Sequence, residues 1–262
     1  MGARLCAPTC SKLFLRLKYY FIPLSPIDYS INILKLNRLV RRYLIVFLVI
    51  VASGCSKKKK TGQLEADIIE YKVEYLHEKA GSVPTRILPD QMTVIFSYPY
   101  ALNNIEGFFG QFSLSYLANL RKRKVTTVLK LFDKKYYYEG EQGEIPCGID
   151  PMEGMTLTPG NDAKTIAGYR CHEYILARPG KESIALYSTS ELHIKSPNIT
   201  TPYRNHNDVL LQFYTRLSVM DMLLVADSCR TGTVKEDIFM VPDGYHEISR
   251  VKMEKILDEL FK

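Results

Sequence analysis

The sequence predicts a mainly β domain with some α: an antiparallel sheet or partly closed barrel, completed by a C-terminal helix. Three observations lead there. Apolar and polar residues alternate with period two in several separate stretches, turn signals divide those stretches at hairpin-like spacing, and no helical pattern intervenes between them.

The first strand is read from Ile69, Tyr71, Val73 and Tyr75, which alternate with Glu70, Lys72 and Glu74 as a half-buried strand does. The same signal recurs at Met92, Val94, Phe96 and Tyr98, at Val125, Thr127, Leu129 and Leu131, and at Val209, Leu211 and Phe213. Gly81-Ser82, Pro89-Asp90, Asn103-Asn104, Asp133-Lys134, Pro179-Gly180 and Pro242-Asp243-Gly244 supply turns. Two patterns compete over residues 108–120. Phe112, Leu114 and Tyr116 alternate like a strand, whereas a second helix there would have to tolerate Gly107 and Gly110 near its start. Residues 219–226 are apolar apart from Asp221, so both faces of that strand are expected to be covered. It either is central with a helix on its other face, or turns one face to an apolar cavity. At the C-terminus Ser249 can cap a helix with residues 252–255 in its body, and Ile248, Val251, Ile256, Leu257 and Leu260 recur at helical spacing.

The N-terminal part reads as a processing segment. Residues 43–54 form an apolar run of about a dozen residues, too short for a membrane span, which needs roughly 20. Arg38, Arg41 and Arg42 precede it and Ala52-Ser53-Gly54 closes it with small residues, the order of a secretion signal. Cys55 follows, and Val51-Ala52-Ser53-Gly54-Cys55 resembles the bacterial lipobox, in which the cysteine is lipidated and becomes the new N-terminus. The expected organisation is therefore a signal peptide over residues 38–54, a lipidated Cys55 with a basic tether over 55–63 (Lys57 to Lys60), and one domain over 64–262. Residues 1–37 carry Pro23, Pro26 and Asp28 within apolar sequence and exceed what a signal needs. Translation is expected to begin at a non-ATG codon near Leu34 to Leu39, leaving 1–37 outside the product. Several acyl chains would anchor the protein durably where one is marginal. Ser56, in place of aspartate after the cysteine, implies the outer membrane, and the absence of an acidic run after Cys55 implies its periplasmic leaflet.

Charge divides at the same place. The whole chain carries +7, yet eight of its 35 Lys and Arg and one of its 28 acids precede Cys55, which leaves 27 of each sign. A neutral remainder gives no support for nucleic-acid binding. That remainder is 208 residues long, enough for one sizeable core. Its further cysteines are Cys147, Cys171 and Cys229. In an oxidising periplasm either Cys147 and Cys171 form a disulfide, or all three stay reduced and buried.

Chemistry-bearing motifs are missing: the sequence holds no GxxxxGK[ST], HExxH, GxSxG or CxxC, and its five histidines are not spaced to share a helical face. Cys171 and His172 are neighbours, which on a strand point to opposite faces and cannot act together. His206 with Asp208 could share a strand face as metal ligands, but two ligands in a polar loop are more often simply solvated. The sequence therefore assigns no catalytic residue, metal site or cofactor. Tyr136-Tyr137-Tyr138, Phe108-Phe109 and Tyr98 offer amphipathic contact surface for a binding face or cavity mouth, or serve as edge and core residues.

Lys164-Thr165-Ile166-Ala167-Gly168-Tyr169-Arg170-Cys171, with Tyr187-Ser188-Thr189 and Ile194-x-x-Pro197, resembles the core of the GLPGLI-type lipoproteins of Gram-negative envelopes and their relatives. The chain departs from that pattern where the GLPGLI signature would stand, giving Asn207-Asp208-Val209-Leu210-Leu211, which points to a neighbouring family. The resemblance implies a curved antiparallel half-barrel like that of the periplasmic LolA and LolB carriers, with helices on its concave side, and implies no catalytic residues. Two functions follow as expectations. The first is an outer-membrane lipoprotein holding an apolar ligand or lipid, with Leu211, Phe213, Met220, Met222 and Leu224 as candidate lining, since methionine adapts to irregular ligands. The second is an interaction or assembly component that meets an envelope protein partner through an aromatic face.

Overall fold

The computed structural model describes residues 62–80 and 83–260, which belong to one compact unit. The signal at 38–54, Cys55 with its tether to residue 61, and the upstream residues 1–37 lie outside the described residues. Alternation in the sequence becomes strand after strand: β1 (Gln63–Tyr75), β2 (Lys79–Ala80), β3 (Val83–Pro84), β4 (Gln91–Ser97), β5 (Tyr100–Gly107), β6 (Phe112–Asn119), β7 (Lys124–Leu131) and β8 (Lys134–Glu139). After a long connection come β9 (Thr156–Ile166), β10 (Tyr169–Arg178), β11 (Lys181–Thr189), β12 (Val209–Leu217), β13 (Met220–Lys235) and β14 (His246–Glu247), then helix α1 (Arg250–Leu260).

All but β2 and β3 join one open sheet in the order β14-β8-β7-β6-β5-β4-β1-β13-β12-β11-β10-β9. Every pairing in it is antiparallel except β14 with β8. β1 and β13 are its long central pair, in register from Gln63 opposite Lys235 to Tyr75 opposite Met222, with a bulge between Glu70 and Tyr71. Two meanders, β4 to β8 and β13 back to β9, extend from that pair in opposite directions.

The main core lies on one face, where Ile69, Tyr71 and Val73 of β1 meet Met92, Val94 and Phe96 of β4, and Phe112, Leu114 and Tyr116 of β6. The connections through residues 140–155 and 190–208 bring Cys147, Met152, Ile199 and Tyr203 onto this face, and α1 adds Met253 and Leu257. On the other face a smaller cluster forms where the segment after β13 crosses the first meander and lays Phe239 on Leu102, Leu117 and Val128. That crossing delivers β14 to the edge of β8 and α1 to the main core.

Three expectations are corrected. The ambiguous stretch after Phe108 is strand β6 and holds no second α-helix: its alternate residues Phe112, Leu114 and Tyr116 are buried, and Phe108 and Phe109 form the preceding turn with φ of 52° and 55°. Asn103-Asn104 is no turn but the middle of β5, and Asn103 is buried in the core. On α1, which Ser249 Oγ caps through Lys252 N–H at 3.4 Å, Val251 is 79% exposed while Met253 is fully buried. Val251 and Ile256 are five residues apart, about 140° around a helix, so they could not share the docking stripe. No helix among the described residues is long and apolar enough to cross a membrane.

Candidate functional site

Leu157 of β9 and Leu176 of β10 stand opposite each other in register and form the floor of a pocket of about 340 Å³. Pro151, Met152 and Met155 from one connection and Pro202, Tyr203, Asn205 and His206 from the other form its walls. Short local bonds shape both walls. Asp150 Oδ1 accepts from Met152 N–H at 2.7 Å, and Met152, with φ 59°, turns the chain so that Met155 N–H reaches its carbonyl at 3.1 Å. Asn198 donates to the carbonyls of His206 and Asp208 at 2.8 and 2.9 Å, closing the second loop on itself. Tyr203 hydroxyl donates to Tyr214 carbonyl at 2.7 Å, and its ring meets Phe213 edge-on at 6.3 Å.

His206 and Asn205 are the polar side chains of this lining. His206 Nε2 lies 2.9 Å from Ser188 Oγ and its ring packs edge-on against Tyr174 with centroids 4.6 Å apart. Burial lowers its pKa, with Asp208 partly opposing, so the ring is neutral at pH 7 and offers a hydrogen bond rather than a charge. A serine beside a neutral histidine has the composition of a nucleophile and its base. Ser188 is fully buried in β11, however, so no substrate can reach its oxygen, and the bond serves to orient the ring.

The five side chains expected to line a cavity sit elsewhere. Leu211, Phe213, Met220, Met222 and Leu224 are at most 5% exposed in the packed core, and none of them borders this pocket. Phe213 stands one layer behind it, through Tyr203. The apolar run at 219–226 is thus explained by a central strand packed on its core face. The Cys147 to Cys171 bridge is not formed. Cys147 lies by Thr127 Oγ1, to which its N–H donates at 3.2 Å, and its carbonyl accepts from Tyr116 at 2.9 Å, whereas Cys171 neighbours Cys229 across the core. Burial pushes the thiols of Cys147 and Cys229 up to about 11 and raises that of Cys171, which keeps all three protonated and unreactive. Cys171 is buried and His172 exposed, on opposite faces of β10.

One constellation escaped sequence reading. Asp221, 5% exposed, accepts from Tyr214 hydroxyl and lies 3.0 Å from His77 Nε2, 3.6 Å from Lys181 Nζ and 3.6 Å from Arg216 Nε. It ties together the ends of β1, β11, β12 and β13. Its position inside an apolar run was the available signal, but its partner His77 is 144 residues away along the chain. Among the described residues no group of three or more His, Cys, Asp or Glu side chains is placed to hold a metal ion. Compared with protein-family models, the chain matches none. Compared with curated proteins, it likewise matches none.

Proposed function

We propose that the protein is an outer-membrane lipoprotein, anchored through Cys55, that holds an apolar ligand such as an acyl chain against its sheet. The observation that carries this reading is the pocket of about 340 Å³ lined by Met152, Met155, Leu157, Leu176 and Tyr203, with Asn205 and a neutral His206 as its polar members. Apolar walls with a few convergent polar groups are the ordinary composition of a small-molecule site, and paired methionines adapt to a flexible chain. A half-barrel curvature of the second meander fits the same reading, supported by the approach of β9 to β13 across three intervening strands. Binding rather than catalysis is proposed, because the nucleophile nearest the pocket, Ser188, is sealed within the core.

Organic-solvent extracts of the protein purified without detergent are expected to yield one lipid in stoichiometric amount by mass spectrometry. Met155→Trp, which fills the pocket, is expected to remove that lipid while the melting temperature stays close to wild type. An extract no different from that of a control protein defeats this reading. The anchor is tested separately: Cys55→Ser is expected to shift the protein from the membrane fraction to the soluble one.

A second reading, assembly with an envelope protein, has its own observation. Phe108, Phe109, Phe132 and Ile87 are all exposed on adjoining turns at one end of the sheet, where Phe132 N–H donates to Gln111 carbonyl at 2.7 Å. Crosslinking through a photoreactive residue at position 109 is expected to capture a discrete partner if this reading holds.

A further inference from the structure

The opposite end of the sheet, where β1 begins, carries a different chemistry. Tyr100 pairs with Asn119 and Asn119 with Lys124, so the β4–β5 and β6–β7 turns lie side by side, and Leu120 N–H donates to Pro99 carbonyl at 2.8 Å. The second of these turns reads Arg121-Lys122-Arg123, and the connection from β11 to β12 adds Lys195 and Arg204. Arg121 and Lys195 both stand over the ring of Tyr98, at 5.3 and 5.2 Å. Ser196, next in the chain, enters a pocket of about 340 Å³ that it shares with Arg123, Arg204, Asn205, Asn207 and Glu144.

The two arginines are held together although nothing anionic joins them. Gly143 N–H donates to Arg123 carbonyl at 2.9 Å, fixing a turn in which Arg123 has φ 53°. Arg204 donates from Nη1 to Gly143 carbonyl and from Nη2 to Glu144 carbonyl at 3.0 Å, while its Nε is buried without a partner. Burial, and secondarily the charge of Arg123, pulls Arg204 below its ordinary pKa. The one carboxylate in the pocket lining is already committed: Glu144 Oε1 pairs with Arg250 at 2.8 Å, and Oε2 accepts from Tyr138 at 2.9 Å and from Glu141 N–H at 2.7 Å. No ion pair among the described residues includes Arg121, Lys122, Arg123, Lys195 or Arg204. Two cations that repel each other cost free energy that an oxyanion bound between them recovers.

We propose that the pocket between Arg123 and Arg204 binds a phosphate group. Guanidinium forks match phosphate oxygens, and Ser196, Asn205 and Asn207 supply the further hydrogen-bonding groups that an anion with several oxygens can use and a carboxylate cannot fill. The phosphate is either the ester of a lipid headgroup or a free anion. Tyr98, beneath Arg121 and Lys195, has the amphipathic character of residues at headgroup level, and β1, which Lys57 to Lys60 precede in the sequence, begins at this end. The proposal does not depend on the apolar pocket between β9 and β10.

Calorimetric titration of the full chain with inorganic phosphate, and separately with dihexanoyl phosphatidylglycerol below its micelle concentration, tests it. Saturable binding of at least one is expected, weakened about tenfold or more by Arg123→Gln and by Arg204→Gln. Arg204→Gln also withdraws the bonds to the Gly143 and Glu144 carbonyls, so Arg123→Gln, whose side chain is exposed on its turn, is the decisive variant, with its melting temperature as the check on folding. Binding of the lipid alone assigns a headgroup; equal binding of inorganic phosphate assigns the free anion. Binding of neither, or binding that Arg123→Gln leaves unchanged, overturns the proposal.

Discussion

Asp221→Ala is expected to lower the free energy of unfolding by about 3 kcal/mol, the low end of what breaking a buried charged pair costs. The carboxylate is 5% exposed, whereas its neighbours His77, Lys181 and Arg216 are 61%, 51% and 39% exposed and retain much of their hydration. Most of the loss therefore falls on Tyr214, 1% exposed, whose hydroxyl would lose its carboxylate acceptor. Asp221→Asn keeps the shape and an acceptor oxygen and is expected to cost about 1–2 kcal/mol. The pH dependence has a definite sign. Burial alone would raise the Asp221 pKa, but hydrogen bonds from Tyr214 and His77 and the charges of Lys181 and Arg216 outweigh it and hold the carboxyl below its usual range. A depressed folded-state pKa contributes stability that is fully present above the unfolded value, about 3.9, and is lost as pH falls through the folded one. In urea titrations the gap between wild type and Asp221→Asn is thus expected to hold near pH 5 and to shrink toward pH 2. A gap that widens in acid would mean that the native carboxyl is protonated.

That network also marks the limit of what the sequence discloses. Alternation located β1, β4, β7 and β12 because a sheet with one packed face writes its register directly into the residues, as at Ile69, Tyr71 and Val73. It did not locate β9, whose residues are mostly exposed at the sheet edge and so are not forced to alternate. The helix was legible from its cap and from most of its docking face, since Ile248, Ile256, Leu257 and Leu260 all pack on the core; the exception is that Met253 is buried there and Val251 is not. The pocket was legible least of all. Its floor comes from Leu157 and Leu176, its walls from residues 151–155 and 202–206, and its polar groups from Asn205 and a histidine read as solvated. Pro, Met and Asn in two loops carry no periodicity, and chain segments some fifty residues apart meet only because β9 to β12 fold back in sequence. The basic end differs: Arg121-Lys122-Arg123 is visible as a charge run, while its counterpart Arg204 is joined to it through Gly143, 61 residues before Arg204.

Leu257→Ala is expected to cost about 3 kcal/mol and to loosen α1 from the sheet. Leu257 and Met253 are the helix residues with no exposed surface, so their contacts carry most of its docking. Polar bonds fix its position without replacing that burial: Gly148 N–H donates to Glu254 at 2.8 Å, Ser218 hydroxyl to Asp258 at 2.8 Å, and Arg250 to Ile145 carbonyl at 2.9 Å. Gly148 lies between Leu217 of β12 and Leu257 of the helix. A Cβ there would lie 2.8 Å from Leu217 Cδ1 and 3.0 Å from Leu257 Cδ1, in a backbone with φ +80°. Gly148→Ala is accordingly expected to be destabilising by about 2 kcal/mol through crowding and the left-handed conformation together. In a Leu257→Ala background one of those two close contacts disappears while Leu217 and the φ penalty remain. The two substitutions should then be non-additive, the double variant being more stable than the sum of the singles by about 0.5–1 kcal/mol in guanidinium denaturation. Strict additivity would show that helix and connection relax independently, and that the polar bonds of Glu254 and Arg250, rather than the Leu257 contact, set how closely α1 approaches the sheet.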